Sequence, residues 1–133
     1  MNAVDEQCKS AGLQYAYHNL NIEFTECSGV IPYDWLLQNT DPQSAQLEID
    51  CYWLTRAGKD PKDRKPGYAP SNTPDLGPGP FTEVGYGRIN WKRILPAASG
   101  GDLKHYYVEQ DFFDRPVFQS IKMSYDYLKN LTL

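Results

Sequence analysis

Three short runs constrain this chain most: Leu13–His18 (LQYAYH), Gln46–Asp50 (QLEID) and His105–Glu109 (HYYVE). Each reads as a strand, and each ends on a residue that can bind a metal or move a proton: His18, Asp50 and Glu109. In parallel α/β proteins the chemistry gathers at the carboxyl ends of strands, where the loops diverge and leave a crevice lined by several strands at once. A His, an Asp and a Glu at three such ends can share one site.

The segments between these runs read as helices and breakers. Residues 2–11 predict a helix tail stopped by Gly12, and Pro32–Gln38 (PYDWLLQ) a short amphipathic helix opened by proline. Asp41-Pro42 then separates that helix from a strand over Gln46–Tyr52, so the order begins αβαβ. From Lys59 to Pro80 six prolines (Pro61, Pro66, Pro70, Pro74, Pro78, Pro80) interleave with glycines and charges, which predicts an irregular loop over 60–80. Its mixed-sign start, Lys59–Lys65, reads as a solvated face. Structure resumes at Phe81–Val84, turns through Gly85-Tyr86-Gly87, and enters a helix capped by Asn90 that carries Trp91, Ile94 and Leu95. Gly100-Gly101 ends it, and Pro116 opens a last helix whose stripe of Val117, Phe118, Ile121, Tyr125 and Leu128 calls for a covering sheet or helix. Such alternation favours one α/β domain over residues 1–133, with a parallel sheet and right-handed crossovers.

Composition narrows the function classes. A net charge of -4 offers no basic footprint for nucleic acid. No apolar run approaches the ~20 residues of a membrane helix, and Met1–Glu6 lacks the pattern of a signal peptide. Cys8, Cys27 and Cys51 are odd in number and lack CxxC spacing, which predicts free thiols in a reducing, cytoplasmic compartment. Ten Tyr and three Trp suit a half-wet pocket or interface as well as a core.

Four blocks taken together, Ala11–Asn19 (AGLQYAYHN), Leu47–Pro61 (LEIDCYWLTRAGKDP), Phe81–Trp91 (FTEVGYGRINW) and Tyr107–Asp111 (YVEQD), resemble the sugar phosphate isomerase/epimerase family, in family order. That resemblance implies a partial (β/α)8 TIM barrel of the xylose isomerase-like kind. A whole barrel takes about 250 residues, so this chain holds roughly four of the eight units, those of the second half. A half-barrel leaves strand edges and apolar helix faces bare, and completion by homo-oligomerisation is expected. Two departures stand out. The strand-six segment with its metal-binding His has no counterpart, and Leu20 stands where the family's Tyr-His-Asn-His run has its second His.

The resemblance further implies a small-molecule carbohydrate substrate and a divalent cation, Mn²⁺ or Mg²⁺, held in an oxygen-rich site. Beside it a carboxylate moves a proton next to a carbonyl, through an enediolate. Asp50 matches the family's strand-five aspartate, a metal ligand, and Glu109 the strand-eight glutamate, both ligand and base. For strand four the family divides between a ligand at the position of His18 and one at Glu23, which would also serve catalysis. His18, Asn19 and Glu83 would be substrate-binding or supporting groups. The residues also admit plainer roles: His18 hydrogen-bonded to nearby backbone, Asp50 and Glu109 as caps, Glu83 as structure. The competing functional reading is a catalytically inactive oligomeric fragment or binding module derived from the same family.

Overall fold

The computed structural model describes residues 2–61, 81–100 and 103–132. The chain divides into two compact units, Met1–Asp75 and Leu76–Leu133. Most of the predicted 60–80 loop, and Gly101, lie outside the described residues.

The first unit opens with helix α1 (Asn2–Ser10), which ends at Gly12 in a left-handed conformation (φ +74°). There the Leu13 N–H donates back to the Cys8 carbonyl at 2.8 Å and the Gly12 N–H to Lys9 at 3.0 Å, the closure that a positive-φ residue permits. Because Leu13 closes the helix, strand β1 is Tyr15–His18, shorter than the Leu13–His18 expectation. A 3₁₀ turn (Ile22–Phe24) and helix α2 (Pro32–Asn39) follow, α2 starting on proline where a missing N–H costs nothing. Asp41 then organises a turn, its Oδ1 accepting from the Gln43 N–H at 2.9 Å, and strand β2 (Ala45–Glu48) runs parallel to β1 in the register Tyr15↔Ala45 to His18↔Glu48.

The expected strand over Gln46–Tyr52 is corrected at its carboxyl end. Cys51 and Tyr52 form the first turn of helix α3 (Cys51–Arg56), because the Asp50 side chain caps it by accepting from the Trp53 N–H. Phe24, Tyr33 and Leu54 make the unit's buried cluster, with Ile31, Leu37, Leu47, Ile49 and Ala57 against it. The Phe24 and Tyr33 rings are 4.5 Å apart and tilted by 37°. Lys59, expected in a solvated loop, is instead buried. Gly58 (φ +71°) turns the chain after α3, and the Lys59 N–H closes on the Leu54 carbonyl at 3.1 Å. Burial pulls the Lys59 ammonium below its usual range, and the Asp34 carboxylate opposes that.

In the second unit, helix α4 (Trp91–Ser99) is capped by Asn90, whose side chain accepts from the Arg93 N–H at 3.2 Å, and it buries Ile94 and Ala98. Helix α5 (Val117–Lys129) starts after Pro116. Its expected apolar stripe faces outward: Phe118 is 87% exposed, and Val117, Ile121 and Tyr125 are exposed with it. The face that α5 buries carries Ser120 and Ser124 instead, because their hydroxyls meet polar groups of the 81–85 segment. At Gly85 (φ +91°) the backbone approaches α5 so closely that a Cβ would lie 2.2 Å from Cδ2 of Tyr127.

The predicted third strand, His105–Glu109, is exposed chain without regular secondary structure and has no ladder partner among the described residues. Alternation alone does not make a strand, which also needs a neighbour to take its N–H and C=O groups.

Candidate metal centre

β1 and β2 are neighbours running the same way, so their carboxyl ends deliver His18 and Asp50 to one place. His18 Nε2 and Asp50 Oδ2 are 3.1 Å apart, with the side chains 35% and 17% exposed. An ionised carboxylate only accepts, so the hydrogen bond requires the proton on Nε2. Asp50 serves two roles at once: Oδ1 caps α3 through the Trp53 N–H at 2.9 Å, while Oδ2 faces the imidazole. The capping role foreseen for Asp50 is therefore present, and it leaves one oxygen for the site.

With the imidazole proton moved from Nε2 to Nδ1, the donor set would fit a divalent cation. Bonds of ~2.1 Å meeting at about 90° place two neighbouring ligand atoms ~3.0 Å apart, close to the spacing of this nitrogen and oxygen. Imidazole with carboxylate suits Mn²⁺ and related metals.

Asn19, the next residue of the chain, is completely buried. Its Oδ1 accepts from the Asp50 N–H at 3.0 Å, and its Nδ2 donates to the Asp50 carbonyl at 3.4 Å and to the Leu20 carbonyl at 3.2 Å.

Glu23 lies elsewhere. Its Oε1 accepts from the Tyr17 hydroxyl at 2.7 Å and its Oε2 from the Leu20 N–H at 3.0 Å, so both oxygens are engaged. Successive strand residues point to opposite faces, which separates Tyr17 and its Glu23 from His18. Glu23 borders a groove of about 430 Å³ with Tyr17, Cys27, Val30, Pro32, Trp35 and Leu36. The hydrogen bond to the Glu23 carboxylate, reinforced by burial, pushes the Tyr17 phenol up to about 12. No sequence period joins residues 17 and 23; the 3₁₀ turn between them does.

Glu83 and Glu109 belong to the second unit. Glu83 is buried, its Oε1 accepting from Ser120 Oγ at 2.7 Å and pairing with Arg115 Nε at 3.0 Å. Ser120 first, then the backbone, Arg115 and Thr82 hold its carboxyl below the usual carboxylate range, against burial. Glu109 is exposed on the segment before α5. Cys8, Cys27 and Cys51 form no disulfide. Among the described residues no helix is long and apolar enough to cross a membrane.

Parallel strands with flanking helices, and polar residues at the strand ends, define the class: an α/β fold matching part of a TIM-barrel-like architecture. The particular likeness is to the crystal structure of a sugar phosphate isomerase/epimerase from Parabacteroides distasonis, with a TM-score of 0.71 and 24% sequence identity. The match covers 94% of this chain and 48% of that one, so the chain spans about half the length of the protein it resembles. No family model and no curated protein matches the chain.

Proposed function

We propose that this chain carries part of the active site of a metal-dependent sugar (phosphate) isomerase/epimerase. The observation that carries the reading is the 3.1 Å approach of His18 Nε2 and Asp50 Oδ2 at the carboxyl ends of neighbouring parallel strands. The likeness to a sugar phosphate isomerase/epimerase supports it. His18 and Asp50 would hold a divalent cation such as Mn²⁺ or Mg²⁺. When bound, that cation supplies Lewis-acid polarisation of a substrate oxygen. The resemblance implies Glu109 as the base that would move the proton on the carbon beside the substrate carbonyl. Glu23, with both oxygens engaged by Tyr17 and Leu20, supports the loop after β1.

Mn²⁺ titration by calorimetry, combined with solvent-deuterium incorporation into candidate ketoses and aldoses, tests this. The expected result is stoichiometric Mn²⁺ binding that His18→Gln abolishes, with Mn²⁺-dependent label exchange. Absence of both sinks the enzyme reading and leaves an inactive binding module. A second copy of the chain is proposed to cover the bare α5 stripe, where Phe118 is 87% exposed. Light scattering is then expected to give a mass above the monomer, reduced by Phe118→Glu; a monomeric parent chain contradicts this.

A further inference from the structure

The β1–β2 ladder has its last rung at His18↔Glu48, and beyond it the two backbones are no longer paired as strands. Yet the candidate centre needs Asp50, two residues further on, held firmly against His18. The side chain of Asn19 spans this gap. A carboxamide carries the same acceptor and donor as a peptide group, and Asn19 presents both to Asp50: Oδ1 to its N–H at 3.0 Å, Nδ2 to its carbonyl at 3.4 Å. The second Nδ2 proton goes to the Leu20 carbonyl at 3.2 Å. The residue has no exposed surface, so these bonds form away from competing water.

We propose that Asn19 is a positioning residue: its buried amide replaces the missing rung of the sheet and sets the Asp50 carboxylate against the His18 imidazole. It touches neither a metal nor a substrate. Its effect passes through Asp50, whose backbone it fixes while Oδ1 is engaged by Trp53 and Oδ2 by His18. Where the centre binds a cation this rests on the function proposed above, but the placement of Asp50 is measurable without any metal.

The chain has two histidines, so the imidazole Nε2–H of His18 is assignable in the ¹H–¹⁵N spectrum of the metal-free protein by comparison with His105→Gln. Bonded to a carboxylate, this proton resonates far downfield. In Asn19→Ala, and in the equally shaped Asn19→Asp, which loses the donor half of the amide, the signal is expected to vanish. Leu54→Ala, which empties a buried position of the same unit, is expected to keep it. Mn²⁺ affinity should fall ~10–100-fold in the Asn19 variants and stay unchanged in Leu54→Ala. A downfield signal that persists in either folded Asn19 variant overturns the inference, as does its absence from the parent chain. A parent chain that shows the signal yet binds no Mn²⁺ overturns the proposed function alone.

Discussion

Asp50 offers the sharpest test, because its two oxygens do different things and two substitutions separate them. Asn at this position keeps an oxygen for the Trp53 N–H, which it now accepts at 2.9 Å, and Asn caps helices about as well as Asp. Ala removes the cap, at a cost of ~1 kcal/mol. Both substitutions lose the charge facing His18. That pair is partly wet, with side chains 35% and 17% exposed, so its loss costs under ~1 kcal/mol. Asp50→Asn should therefore destabilise by less than ~1 kcal/mol and Asp50→Ala by roughly 1–2 kcal/mol. Mn²⁺ affinity should behave differently. Residues that merely support ligands are worth ~10–100-fold, so loss of a ligating carboxylate should cost ~100-fold or more in both variants. Urea unfolding and calorimetric Mn²⁺ titration at one fixed pH read the two quantities independently. If Asp50→Asn unfolds as easily as Asp50→Ala, the capping account is wrong. If Asp50→Asn binds Mn²⁺ like the parent, Asp50 is no ligand.

Gly85→Ala should destabilise more than Gly12→Ala. Both glycines have positive φ, costing an alanine about 1–2 kcal/mol, but only at Gly85 would the new Cβ meet Tyr127, adding ~1–3 kcal/mol; equal thermal melts would contradict the close approach. For Glu83 the folded carboxyl titrates below its ordinary value of 4.5, so its stabilising share is present above that pH and lost as pH falls through the lower folded value; Glu83→Gln should remove this part of the acid unfolding curve, and an unchanged curve would contradict it. Tyr17 has the opposite sign: its folded value is raised from 10.0 to about 12, so its contribution holds below pH 10 and is lost as pH rises towards 12. Ultraviolet titration of the native protein should show a high-pH tyrosinate phase missing in Tyr17→Phe and shifted down in Glu23→Gln; a phase unchanged in both would refute the Tyr17–Glu23 bond.

What was legible in the sequence was whatever one residue decides locally. Gly12 as a left-handed stop, Pro32 at the start of α2, the Asn90 cap and the helix after Pro116 each follow from the chemistry of a single position, and each is present. Within β1, Tyr15 and Tyr17 share one face and His18 lies on the other, as strand alternation requires. At the carboxyl end of β2, Leu47, Ile49 and Cys51 alternate as a strand should, while the Asp50 cap turns the chain into α3. There a single hydrogen bond outweighs a continuing pattern, and periodicity does not register it.

α5 shows the deeper limit. Its apolar residues recur at helical spacing and imply a buried stripe, yet Ser120 and Ser124 are the residues with almost no exposed surface. Apolar burial normally wins, at ~25 cal/mol per Å², but only when an apolar surface exists to receive the helix. The segment before α4 instead presents the Glu83 carboxylate and the Val84 N–H, and burying either unpaired costs about 1–3 kcal/mol or more. Two serine hydroxyls satisfy both groups. The orientation of α5 thus follows from what polar partners lack elsewhere in the unit. The same reasoning governs Asn19, where a backbone that has run out of ladder finds its rung in a side chain, and with it the position of Asp50 in the candidate site.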